Sequence, residues 1–323
     1  MKYFIEDGNL YALKVKEDEW ADSPREFFDV FTKMCLWKSG YSLGDYDEVK
    51  GYDTPYDYIA DLLRSKVNLK QIVNYIRQGE TRLRLSYNRH ERNWFLYELH
   101  EEDNSILAYD HYVYDLEDYI IENLTVKECF DILEKYADII HLPLYIYEHS
   151  MISIRTGSFG DRWDSGFYGF IWTDKELVNS AYGDVKDWKR YGYNLMESDV
   201  KLYDMYLQGS VYIIKISPYD PEKQDFDFFH SECVGGFYSD AYGDDLYDEI
   251  AEDFTHEPVY DLKTISPMLC DLWLSNEKNM FSEVEANLAK IGHDDLYRTC
   301  DNCPAMGSCY KGHEGWIDMI DCA

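Results

Sequence analysis

Three groups of residues in this chain have types and spacings that could do chemistry. The first is HSMISIRTGSFGDRWDSG, residues 149–166. His149 could serve there as a general base, Ser150 or Ser165 as a nucleophile, and Asp161 or Asp164 as the group that orients the base. A triad is defined by geometry, which residue types in a short window do not fix. Asp164-Ser165-Gly166 also lacks the first glycine of a G-x-S-x-G elbow and its strand–turn–helix setting. A structural reading is more economical. Gly157, Gly160 and Gly166 would permit positive φ in a tight connection, Asp164 and Ser165 would cap turn amides, and Trp163 would cover the sheet.

The second group is Cys300, Cys303, Cys309 and Cys322, spaced C-x2-C-x5-C-x12-C, with His293 and His313 close by. A C-x2-C pair is the usual two-ligand knuckle of tetrahedral zinc, and Pro304 directly after the second cysteine is also a feature of iron–sulfur loops. Zinc is therefore the first cofactor expected and an iron–sulfur cluster the second. The irregular second pair leaves open a reduced, partly buried cysteine-rich tail. Cys129 lies on an apolar helical stripe and reads as core, whereas Cys35, Cys233 and Cys270 are isolated.

The third group is the acidic run DAYGDDLYDEIAEDFTHE, residues 240–257. Leu246, Ile250 and Phe254 recur every four residues, which predicts one buried helical stripe. Asp244, Asp245, Asp248, Glu249, Glu252 and Asp253 would then line the opposite side, where carboxylates on successive turns loosely imitate the phosphates of a nucleic acid. The plain alternative is a solvated helix face.

The whole-chain balance favours the former. The 323 residues carry 63 acidic against 31 basic side chains, a formal charge of −32. Such a charge excludes nucleic acid, anionic membranes and acidic ligands as direct partners, and it permits docking onto a basic surface such as the nucleic-acid groove of another protein. A salt-adapted host would produce the same composition. Hydrophobic residues at 46% and aromatics at 17% give ample material for a core, so the chain is not a disordered acidic tail. The sequence has no P-loop, G-x-G-x-x-G, H-E-x-x-H, EF-hand spacing or basic aromatic-laced patch. MKYFIEDGNL has no apolar signal region, and no stretch approaches the ~20 apolar residues of a membrane helix, so a cytoplasmic protein with reduced cysteines is expected.

Residues 3–15 read as a hairpin about Gly8-Asn9, and 22–37 as a helix with Ser23 as cap and Pro24 in its first turn. Residues 45–58 read as an exposed loop, 59–76 as helix broken near Asn68, and 81–110 as three strands turning near Asn88-Arg89. Thr125 to Glu128 fits a capping box ahead of the stripe Val126, Cys129, Leu133, Tyr136, Ala137 and Ile140. Strands follow at 142–156 and 166–172, a long helix near 184–208, and strands in SVYIIKI and DFDFFHSECVGGFY. This irregular mixture predicts an α+β fold, mostly antiparallel sheet with flanking helices, and a Cys-rich C-terminal segment. The expected division is 1–258, with a subdomain boundary near 124, and 259–323 as a helical cysteine-rich segment.

LPLYIYEHSMISI followed by WDSGFYGFIW resembles an uncharacterised family of phage, plasmid and conjugative-element proteins. SPREFFDVFTKMCLWKSGYSLGD and ECVGGFYSD are similar to further pieces of that family. Met151 departs from its usual glycine, and Gly157–Arg162 from its usual connection. The resemblance implies a mobile-element origin and hence a role against host defence. The expectation is an acidic, non-enzymatic, nucleic-acid-mimicking inhibitor whose partner is a basic nucleic-acid-binding protein of CRISPR or restriction type. The alternative is a hydrolase or metal-dependent enzyme using His149, Asp164 and Ser165 or the cysteine cluster.

Overall fold

In a computed structural model the described residues are 1–99, 106–109, 116–160, 163–220, 223 and 225–265. The strands are β1 (Lys2–Glu6), β2 (Asn9–Glu17), β3 (Lys33–Leu36), β4 (Leu83–Asn88), β5 (Asn93–Leu99), β6 (Ile106–Tyr109), β7 (Ile139–Glu148), β8 (Ile152–Arg155), β9 (Ser165–Asp174), β10 (Val211–Asp220), β11 (Asp225–Phe226) and β12 (Glu232–Tyr238). The helices are α1 (Pro24–Phe27), α2 (Tyr46–Val49), α3 (Pro55–Lys66), α4 (Leu69–Arg77), α5 (Leu116–Asn123), α6 (Val126–Ala137), α7 (Lys175–Tyr182), α8 (Trp188–Leu207) and α9 (Asp244–Ile250). A 3₁₀ turn, Phe228–His230, and a π-helical turn, Ala251–Thr255, complete the set. Every strand pairing among the described residues is antiparallel, so the fold is α+β as expected.

The chain forms two compact units. Of the described residues, the first comprises those within Met1–Ser23 and those from Met205 to Ile265; the second comprises those within Pro24–Asp204. Residue 124 is buried in the core of the second unit. The cysteines Cys270, Cys300, Cys303, Cys309 and Cys322 lie outside the described residues, as do Asp161 and Arg162.

In the first unit the strand order is β1-β2-β10, with β11 and β12 both pairing β10. Glu6 pairs Asn9, so the hairpin turns on Asp7-Gly8 rather than on the expected Gly8-Asn9. Both turn residues have positive φ, 51° and 82°, the geometry of a two-residue hairpin that follows strand twist. Side chains alternate across the sheet. Phe4, Leu13, Tyr212 and Ile214 face Leu246 and Ile250 of α9. Lys215 lies opposite Lys14, and Ile213 opposite Lys16, at the alternate positions. These three lysines therefore share the face away from α9.

In the second unit the main sheet has the order β3-β9-β7-β8, beside a smaller sheet β4-β5-β6. Helices α3, α4 and α6 cover one face. Each begins with a reciprocal capping box, from Thr54 and Asp57, Asn68 and Gln71, and Thr125 and Glu128. Ile59, Leu63, Ile72, Cys129, Phe130 and Leu133 fill the core with Phe170 and Trp172 of β9. Ile140, the last residue of the predicted α6 stripe, belongs to β7, because α6 ends at Asp138 with φ 52°. Gly169 sits where two strands nearly touch: a Cβ there would be 2.0 Å from the Cys35 carbonyl oxygen.

The helix expected over 22–37 is corrected. Only α1 forms, and Met34, Cys35 and Leu36 are instead buried in β3 against β9. Sheet pairing there overrides local propensity. The loop expected over 45–58 is also corrected, since it holds α2 and the first turn of α3. Asp45 is anchored by Arg25, whose Nε and Nη2 donate to its two carboxylate oxygens at 2.9 and 2.7 Å. Arg25 Nη1 also donates to Asp199 at 2.9 Å and to Thr32 Oγ1 at 3.0 Å.

Three sheet edges are covered by other groups. Tyr260 exchanges backbone hydrogen bonds with Tyr3 on β1. Asp45 accepts from Met34 N on β3 at 2.8 Å, and Asp204 from Ile154 N on β8 at 2.7 Å. No helix among the described residues is long and apolar enough to cross a membrane.

Candidate functional site

The acidic run is built on α9 and the π-helical turn that continues it. Gly243, with φ 60°, starts the helix, and Asp244 and Asp245 occupy its first turn, where the helix dipole favours negative charge. Leu246 and Ile250 are buried as predicted. Phe254 is not: it is 38% exposed and meets Phe237 edge-on at 5.7 Å. The wider π turn carries the buried positions to Ala251 and Thr255. Thr255 Oγ1 then closes the turn by donating to Ala251 O, at 3.0 Å.

All six expected partner-binding carboxylates are exposed, yet they differ. Asp244 pairs with Lys2 at 2.7 Å, and Glu249 accepts from Ser239 Oγ at 2.5 Å. No cation among the described residues pairs with Asp245, Asp248, Glu252 or Asp253. With Glu249 they place five carboxylates along about 12 Å of helix axis. Asp248, Glu252, His256 and Glu257, with Pro258 and Val259, line an open groove of about 420 Å³. His256 Nδ1 lies 2.7 Å from Glu252 O, which fixes the ring at the end of the turn. No lysine or arginine occurs in the sequence between Lys223 and Lys263. The lysines Lys14, Lys16 and Lys215 on the opposite sheet face were missed, although alternation in ALKVKE signals that Lys14 and Lys16 share a side.

The His149 stretch falls at the open end of the β7–β9 ladder. His149 Nδ1 lies 3.6 Å from Asp164 Oδ2, outside hydrogen-bond range, and both side chains are well exposed. Ser165 is half-buried and pairs with Tyr147 across the ladder, while Ser150 is exposed. The structure thus brings His149 and Asp164 near each other in an open setting. Of the three glycines expected to need positive φ, only Gly160 does so, with φ 77°. Trp163 does not cover the sheet, being 95% exposed beside the turn.

A polar cluster nearby was not anticipated. Glu148 binds Lys38 Nζ at 2.6 Å and accepts from Tyr41 OH at 2.6 Å, which together hold its carboxyl below the usual range. Lys38 also lies over the Tyr168 ring, 4.6 Å from its centroid. Adjacent strands and the segments that follow them bring Lys38, Tyr41, Glu148 and Tyr168 together. Their mutual pairing describes a structural clasp.

Cys35 and Cys129 are buried, and burial pushes both thiols up to about 12, which makes them poor nucleophiles and metal ligands. Among the described residues no group of His, Cys, Asp and Glu is placed to hold a metal ion. No family model, no curated protein and no solved structure matches this chain.

Proposed function

We propose that this chain is a non-enzymatic, polyanionic binding protein that occupies the basic nucleic-acid channel of another protein. The observation that carries this reading is the segregation of charge in the first unit. The stretch that carries α9 holds no lysine or arginine between Lys223 and Lys263, and Lys2 meets it at Asp244, whereas Lys14, Lys16 and Lys215 gather on the other face of the sheet. Five carboxylates in about 12 Å come within a factor of two of the one charge per ~1.7 Å of duplex DNA. The exposed Asp245, Asp248, Glu252 and Asp253 would take the places of phosphates, and complementarity of this kind speeds association. The resemblance to mobile-element proteins makes a CRISPR nuclease or restriction enzyme of the host the partner class.

The test is capture from the natural host at low and high salt, with bound proteins identified and challenged with duplex DNA. Basic nucleic-acid-binding proteins should be retained at low salt, released by DNA, and lost when Asp245, Asp248, Glu252 and Asp253 are replaced by their amides. Retention that ignores both salt and those replacements would sink the reading.

A further inference from the structure

The second unit carries a ring-lined sheet face that the acidic helix does not explain. Tyr145 lies opposite Phe167 of β9 on one side and Arg155 of β8 on the other, and Tyr147 follows two residues later on the same face. The Tyr145 and Phe167 rings meet edge to face at 6.0 Å, and Tyr147 and Phe159 lie 5.5 Å apart. Ile146 and Ile154, at the alternate positions, are buried, so the rings stand on the solvent side at this end of the sheet. Phe167 is 48% exposed and Trp163, two residues before β9, is 95% exposed. Rings of this size are normally hidden, and several together on one face mark a contact surface.

The rings already hold one cation. The Arg155 guanidinium lies 3.8 Å from the Phe159 centroid, and its Nε donates to Gly157 O at 2.9 Å. Aromatic faces attract guanidinium and ammonium groups through their quadrupole. Asp164 adds an exposed carboxylate directly after Trp163, and Lys38 nearby is neutralised by Glu148. Arg155 and Asp164 offset each other, as do Lys38 and Glu148, so it is the overall charge of −32 that repels anions and a second copy of the chain from these electron-rich rings.

We infer that the face formed by Tyr145, Tyr147 and Phe167, with the exposed Trp163 two residues before β9, receives arginine or lysine side chains from a segment of a basic protein partner. The inference rests on the proposed function only for the partner's basic character, and it places a second contact in the other unit. The rings supply what carboxylates alone lack, namely attraction that survives screening by salt.

The experiment titrates the full chain with the peptide Gly-Arg-Gly-Arg-Gly at 0.5 M salt, following the Trp163 indole N–H by NMR, with the citrulline counterpart as the uncharged control. The arginine peptide should shift that signal and the citrulline peptide should not. Phe167→Leu, which keeps apolar bulk and removes the ring, should weaken the interaction about two- to fivefold, with Trp163→Ala followed through the Tyr147 ring signals. Amide replacements at Asp245, Asp248, Glu252 and Asp253 should leave the titration unchanged, so this contact and the proposed role of α9 can fail separately. Equal binding of the citrulline peptide, indifference to Phe167→Leu, ring shifts produced by oligothymidylate instead, or shifts that follow protein concentration alone would each overturn it.

Discussion

Arg25 shows how much of the second unit hangs on a single side chain. Its guanidinium is almost fully buried and holds Asp45, Asp199 and the Thr32 hydroxyl together, in contacts that span 20, 174 and 7 positions of sequence. Removing one partner of such a cluster leaves buried charge uncompensated. Arg25→Ala should therefore cost about 3–5 kcal/mol of unfolding free energy, read from urea midpoints. His141 offers a second test. It stacks on Phe130 at 3.6 Å, and burial lowers its pKa to about 4. The folded ring thus stays neutral while the unfolded one takes a proton near 6.5. Its contribution is whole above pH 6.5 and is lost as pH falls toward 4, by at most about 3 kcal/mol. His141→Phe should flatten that part of the acid sensitivity, measured as the difference from the natural chain between pH 7.5 and 4.5. Of these features the sequence revealed those whose partners are neighbours. The Thr125–Glu128 box was legible because cap and acid are three residues apart, whereas Arg25 and Asp199 meet only after the sheet has formed.

Helices and strands were legible where one periodicity held throughout. Helix α6 announces itself by its capping box and stripe, and 59–76 by periodicity with the break near Asn68, whereas the Thr54 cap and first turn of α3 lie in the stretch read as loop. α9 begins equally plainly, but the slide into a π turn moves burial from Phe254 to Ala251 and Thr255, and no four-residue repeat can foretell that. The segment from Pro24 to Trp37 misleads for a different reason: Lys33–Leu36 is claimed by β9 through contacts about 135 residues away. Its tightest point yields a prediction. Gly169→Ala would drive a methyl group into the Cys35 carbonyl, so the β3–β9 pair must part, and thermal unfolding should show a loss larger than that of Thr125→Ala. The latter removes a cap worth about 1 kcal/mol.

At the scale of the whole molecule, charge was the clearest signal and its arrangement the least. Composition gives −32 and says nothing about where it lies; strand parity sorts Lys14, Lys16 and Lys215 away from α9, and that sorting appears only in three dimensions. A chain so charged repels itself, so raising salt from 0.02 to 0.5 M should raise its thermal midpoint, and a midpoint that falls would show net attraction between charges instead.

That same electrolyte would ordinarily invite clumping, because it silences the repulsion that keeps acidic molecules apart. Here Tyr260, Asp45 and Asp204 occupy backbone groups that stacking neighbours would need, so dispersal does not depend on charge alone. Concentrated brine should leave the protein clear, and Asp204→Ala, by exposing the amide of Ile154, should let turbidity rise.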